Sequence, residues 1–143
     1  MDVAPYLFFN GDCRQAMQFY ADTLGGHVVA LFTVGEAPPD AKMPGMPDDS
    51  VMHAMVVAGG VTLMASDACP PQDYKPPHGL TVSLQADTVQ EAERIYAALA
   101  EGAQVQMPLG KTFWSEAFAM LTDRFGTPWM INVVKACGPG ETA

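Results

Sequence analysis

Residues Pro5–Gly26, PYLFFNGDCRQAMQFYADTLGG, and residues Thr81–Gly102, TVSLQADTVQEAERIYAALAEG, spell one grammar twice. Each starts as a short apolar strand, crosses a polar break, continues as an amphipathic helix of about three turns and stops at a glycine. A shift of 76 places (81 − 5) superposes them and matches Ala16 with Ala92, Tyr20 with Tyr96 and Gly26 with Gly102. A duplicated unit constrains architecture more tightly than any local propensity, so this repeat is the starting point for the fold. In the first copy Tyr6–Phe9 is the strand, Asp12 is placed to cap the helix, and Gln15 stands where a capping box needs it. Cys13, Ala16, Met17, Tyr20 and Leu24 form one apolar stripe at helical spacing. In the second, Thr88 is the cap, Glu91 its box partner, and Ala92, Ile95, Tyr96 and Leu99 the stripe.

Three strand-like runs follow each helix. The first set is His27–Val34, Val51–Ala58 and Val61–Ser66, with Gly59-Gly60 as a hairpin turn; the second is Gln104–Pro108, Phe113–Thr122 and Pro128–Lys135, with Asp123-Arg124-Phe125-Gly126 as a turn. The order predicts an α+β fold of tandem βαβββ modules that form a curved mixed sheet, a cup, within a single domain. Module one spans about residues 4–67, a Pro-rich linker about 68–79, module two about 80–135, and 136–143 read as a frayed tail. The Pro-rich stretches Glu36–Asp49 and Cys69–Gly79 cannot be regular helix or central strand and read as loops or lids.

Composition narrows the function. Sixteen acidic against seven basic residues give a formal charge of −9, which repels nucleic acid and anionic membranes. No apolar run approaches the roughly 20 residues of a bilayer span, and the first residues, Met-Asp-Val-Ala-Pro, lack a signal core, so a cytoplasmic location is expected. Cys13, Cys69 and Cys137 have neither disulfide-framework nor zinc-ribbon spacing. There is no P-loop, G-x-S-x-G elbow or H-E-x-x-H motif.

Several short pieces, in this order and spacing, carry a family resemblance: Pro5-Tyr6-Leu7-Phe8-Phe9-Asn10-Gly11, Phe19-Tyr20 before Leu24-Gly25-Gly26, Met52-His53-Ala54, Leu63-Met64-Ala65-Ser66-Asp67, and Asp123-Arg124-Phe125-Gly126 before Trp129-Met130-Ile131-Asn132. The chain resembles the vicinal-oxygen-chelate, or glyoxalase/bleomycin-resistance/dioxygenase, superfamily and within it the PhnB-like group labelled 3-demethylubiquinone-9 3-methyltransferase-like. The resemblance covers nearly the whole chain. It implies the paired-module cup and a homodimer, while leaving the reaction open among isomerases, dioxygenases, thiol transferases and drug-sequestering proteins. No glycine-rich strand–turn–helix loop supports the methyltransferase label.

Catalytic members of that superfamily hold a divalent metal with one side chain from the first and the last strand of each module. The internal alignment puts those positions at Pro5, Met64, Thr81 and Met130, none of which suits such an ion. No cofactor is therefore expected, the alternative being a divalent metal in an unconventional site that uses His53 and Glu116. A slip of one residue offers at most one further plausible ligand, Tyr6 among the candidates.

Strand alternation selects the side chains that line the cup. Leu80, Val82, Leu84 and Ala86 pack on the helices, leaving Thr81, Ser83 and Gln85 inward; Thr62, Met64 and Ser66 point inward on the fourth strand, and Met130 and Asn132 on the eighth. Met64, Thr81, Ser83, Gln85, Trp114, Phe118, Met130 and Asn132 are the candidate substrate-binding residues. His53 and Glu116 occupy matching places in the third strands and are the acid–base candidates. The competing reading makes them a hydrogen-bonded histidine and a solvated edge glutamate. Tyr6, Phe8 and Tyr20 read as core, Trp114, Phe118 and Trp129 as packing residues before stackers, and His27 and His78 as surface groups. Two functions compete: a binder that sequesters a small molecule, and a lyase, isomerase or dioxygenase acting on one in the same cup.

Overall fold

Each sheet has one helix to lie on it, so alternation along the strands decides which side chains meet that helix and which do not. The computed structural model of the chain describes residues 1–41, 44–68 and 71–134. The chain divides into two units, Met1–Pro76 and Pro77–Ala143. The first runs β1 (Tyr6–Phe9), α1 (Cys13–Leu24), β2 (His27–Thr33), β3 (Val51–Ala58) and β4 (Val61–Asp67), in sheet order β1-β4-β3-β2. The second runs β5 (Val82–Gln85), α2 (Val89–Ala100), β6 (Gln104–Gly110), β7 (Ser115–Thr122) and β8 (Pro128–Val134), in order β5-β8-β7-β6. In each unit the first strand lies parallel to the last and the other pairs are antiparallel. Both are βαβββ units, the expected α+β architecture. Among the described residues, the segments after β2 and before β5 hold single 3-10 turns, Val34–Glu36 and Pro71–Asp73. The tail, Cys69 and Cys137 lie outside the described residues.

α1 buries Cys13, Ala16, Met17 and Tyr20 against Ala54 and Val56 of β3 and Leu63 and Ala65 of β4. α2 buries Ala92, Ile95 and Leu99 against β7 and β8, where Ala119, Leu121, Trp129 and Ile131 face it. Thr88 caps α2 as expected, its hydroxyl accepting from the Glu91 N–H at 3.1 Å, while the Glu91 carboxylate reaches back to the Asp87 N–H. Asp12 does not cap α1 with its side chain. A carboxylate from another strand does so: Asp67 Oδ1 accepts from the Cys13 N–H at 3.0 Å. The helix ends at Gly25 in the left-handed region, φ 73°, which no side chain adopts cheaply.

The strand register corrects the internal alignment. Tyr6 pairs with Met64 and Ser83 with Met130, a separation of 77 (83 − 6), whereas the helices begin 76 apart (89 − 13). The first unit uses one residue more between strand and helix, Asn10, Gly11 and Asp12 after Phe9 against Asp87 and Thr88 after Ala86. Pro5 is therefore not the residue opposite Met64, nor Thr81 the one opposite Met130. Tyr6 and Phe8 are not core either: Leu7 and Phe9 are buried, while Tyr6 and Phe8 are 38% and 56% exposed. Tyr20 is core. Phe113 and Trp114 precede β7 rather than opening it, and Leu80 and Thr81 precede β5, with Leu80 exposed.

The turn from β7 to β8 is built on Asp123, whose carboxylate accepts from the N–H of Phe125 (2.8 Å), the N–H of Thr127 (3.1 Å) and Trp129 Nε1 (2.8 Å). Replacing it removes three hydrogen bonds, two of them buried. Asp123→Ala is expected to cost at least about 2 kcal/mol by urea denaturation, against less than about 0.5 kcal/mol for Glu116→Ala at an exposed position; a loss below about 1 kcal/mol for Asp123→Ala contradicts this role.

Candidate functional site

With α1 on one side of the first sheet, its other face carries Tyr6 and Phe8 from β1, Met64 and Ser66 from β4, His53 and Met55 from β3, and Phe32 from β2. Cross-strand pairs fix their order: Tyr6 with Met64, Met64 with Met55, Phe8 with Ser66, and His53 with Phe32. The Tyr6 hydroxyl and His53 Nδ1 are hydrogen-bonded at 3.1 Å, the direction following the imidazole tautomer. Their rings lie 5.7 Å apart, and the Tyr6 and Phe8 rings 5.2 Å apart, tilted by 42°. His53 thus faces away from the helix, and the small Ala54 beside it is fully buried.

Beside this face lies a cavity of about 350 Å³. Tyr6, Phe8, Ser66 and Asp67 border it from β1 and β4, Val51 and Met52 from β3, and Val34 and Met46 from the segment joining β2 to β3. That segment is the first of the two Pro-rich stretches.

Asp67 is 5% exposed and ties two elements together, Oδ1 taking the Cys13 N–H at the head of α1 and Oδ2 the Val51 N–H at the start of β3, at 2.8 Å. Its charge also acts on the Cys13 thiol. Burial first, then the charges of Asp67 and Asp12, push that thiol up to about 12 from its ordinary 9.0, with Arg14 opposing. A thiol held protonated is a poor nucleophile, so Cys13 has a packing role.

In the second unit the face away from α2 carries Ser83, Gln85, Met130 and Asn132, all of which the sequence placed there. Asn132 Nδ2 donates to Gln85 Oε1 at 2.9 Å, and Gln85 Nε2 to Ser83 Oγ at 3.0 Å. Asn132 Oδ1 is buried and has no hydrogen-bond partner among the described residues. Phe118 pairs across from Asn132. Trp114, 45% exposed, stands edge-on to Phe118 at 5.3 Å and beside Phe113 at 4.8 Å. Trp129 is fully packed. Thr81 is exposed, ahead of the strand. Glu116 is exposed where β7 bulges; the neighbouring Ser115 hydroxyl lies 2.6 Å from the Ala117 carbonyl and 2.8 Å from that of Val133. His53 and Glu116 belong to different units. The residues that sequence reasoning missed are Tyr6, Phe8 and Asp67. The available signal for Asp67 was a Ser-Asp pair closing an otherwise apolar strand.

The divalent metal that the resemblance implies does not fit this donor set. By register the four positions are Tyr6, Met64, Ser83 and Met130, a phenol, two thioethers and an alcohol, where such ions take carboxylate and imidazole. Among the described residues no three His, Cys, Asp or Glu side chains gather.

The elevated Cys13 pKa has a chemical consequence. At pH 8 iodoacetamide should leave Cys13 unmodified in the folded protein and label it once urea unfolds the chain, as read by peptide mass spectrometry. Labelling at equal rates in both states contradicts the burial and the charge environment described.

A protein-family model of the Glyoxalase/Bleomycin resistance protein/Dioxygenase superfamily matches residues 3–131. The chain is 38% identical to Protein YjdN of Escherichia coli (strain K12) over 145 aligned positions, covering 94% of this chain and 97% of that one. Among solved structures it is similar to protein PA1353 from Pseudomonas aeruginosa, with a TM-score of 0.86, 46% identity, and 94% and 98% of the two chains covered. It also shares the fold of a putative 3-demethylubiquinone-9 3-methyltransferase, PhnB protein, from Bacillus cereus, with a TM-score of 0.78, 23% identity, and 94% and 100% covered. No helix among the described residues is long and apolar enough to cross a membrane. The repeated βαβββ units, their register and these matches agree: the chain belongs to the glyoxalase/bleomycin resistance/dioxygenase superfamily.

Proposed function

We propose that this protein binds a small organic molecule in the cavity of its first unit. The observation that carries the proposal is a space of about 350 Å³ beside the face of the first sheet opposite α1, walled by aromatic and thioether side chains with a few polar groups among them. Pockets for small ligands have this composition and run from roughly 300 Å³ upward. His53 and Met64 belong to the same face. The row Ser83–Gln85–Asn132, with Met130, Phe118 and Trp114, offers a second uncovered face of mixed character in the other unit. A cytoplasmic homodimer goes with this reading, and exposed apolar side chains such as Phe32 and Phe113 favour self-association.

A second reading, catalysis of a lyase, isomerase or dioxygenase type, draws on the Tyr6–His53 hydrogen bond, since a phenol joined to an imidazole can hold and pass a proton. Glu116 is the other acid–base candidate in that case. The unsuitable metal donors weigh towards binding without turnover.

A screen of metabolites and antibiotics for a rise in melting temperature tests the first reading. Phe8→Ala is expected to weaken the best hit about 5- to 10-fold, near 1 kcal/mol, whereas Val29→Ala, on an exposed β2 residue not lining the cavity, should leave its affinity unchanged. The hit should be recovered chemically intact after long incubation. Equal effects of the two substitutions would place the ligand elsewhere, and conversion that disappears in His53→Ala would establish the enzyme.

A further inference from the structure

Asp67 carries a charge that the fold leaves unbalanced. A carboxylate this buried is ordinarily paired with a cation, because desolvating a lone charge is costly. Among the described residues no side-chain cation meets Asp67; its hydrogen bonds come from two backbone N–H groups, one to each oxygen. A carboxylate has about four acceptor positions, so accepting capacity remains. The positive end of α1 offsets part of the charge, about half a unit at most.

The same side chain borders the cavity. Beside it the wall presents the rings of Tyr6 and Phe8, whose faces carry negative potential, and the polarisable thioethers of Met46 and Met52. Among the described residues no Lys, Arg or His lines the space and Ser66 supplies the one neutral aliphatic hydroxyl, while the chain as a whole carries −9. Carboxylate, ring faces and net charge all act with one sign. Apolar walls cannot replace the hydration shell of a hard inorganic ion, which takes six or more oxygen ligands in the case of calcium. A cation dispersed over carbon substituents gives up far less on entry.

From this we infer that the cavity accepts an organic cation, a protonated amine or quaternary ammonium on an apolar body, with the charge against Asp67 and the aromatic faces and the carbon framework against Val51, Met46 and Met52. The inference rests on the cavity being a binding site, as proposed above, and adds the sign of the ligand's charge. An anion of the same shape would be buried beside Asp67 and is disfavoured.

Three probes of similar size separate charge from shape: phenyltrimethylammonium, its uncharged carbon isostere tert-butylbenzene, and benzenesulfonate. Titrations of the full-length protein followed by NMR should show the cation binding at least 10-fold more tightly than the isostere, with no saturable binding of the sulfonate, and shift changes centred on Tyr6, Phe8 and Ser66. Phe8→Leu should lower the cation's affinity several-fold and the isostere's hardly at all. Asp67→Asn, which keeps an acceptor for one backbone N–H, should lower it further; should that variant fail to fold, Phe8→Leu carries the test. Equal or tighter binding of the isostere or the sulfonate overturns the inference about charge and leaves the binding cavity standing. Shift changes centred outside the cavity, or no binding by any of the three, overturn the inference itself.

Discussion

One helix cannot cover both faces of a four-stranded sheet, and among the described residues each unit of this protein has one α-helix. Alternation then divides every strand between two environments. Ala54, Val56, Leu63 and Ala65 are sealed beneath α1, while His53, Met64 and Ser66, one residue along the same strands, stand on the other side. The faces opposite the helices hold polar and ionisable groups, Tyr6 and His53 in one unit and Ser83, Gln85 and Asn132 in the other. The faces beneath the helices are occupied in holding each unit together.

Two buried carboxylates fix these sheets at their ends. Asp123 closes the β7–β8 turn and anchors Trp129. Asp67 closes β4 and joins it to the heads of α1 and β3. Asp67 differs in bordering the cavity of the first unit as well. Fold and donor set also separate here: the superfamily's architecture is present, while the side chains that the register puts opposite one another are a phenol, two thioethers and an alcohol. Kinship therefore supplies the scaffold, and the chemistry has to be read from the side chains.

Much of this was legible in the sequence. Val51–Ala58 was read as a strand with its observed limits, because Gly59-Gly60 marks its end and His53-Ala54-Met55 alternates in size. Thr81-Val82-Ser83-Leu84-Gln85 separates its two faces by polarity, and Ser83 and Gln85 do lie opposite the buried Leu84. Tyr6-Leu7-Phe8-Phe9 is apolar on both faces, so alternation carries no information there, and a single extra residue before α1 shifted the aligned repeat by one. The Asp67 bonds to Cys13 and Val51 span 54 and 16 positions, beyond any local capping rule. The register shift between Ser115 and Ala117 near the start of β7 is a further feature that no propensity signals.

The most direct measurement of the central claim is a crystal structure of the protein grown with a ligand that raises its melting temperature. The account predicts electron density for that ligand packed on the rings of Tyr6 and Phe8, with Met46 and Met52 against its carbon framework. Density confined to the Trp114–Phe118 surface, or a first unit in which Met46 and Met52 fill the space themselves, would contradict it.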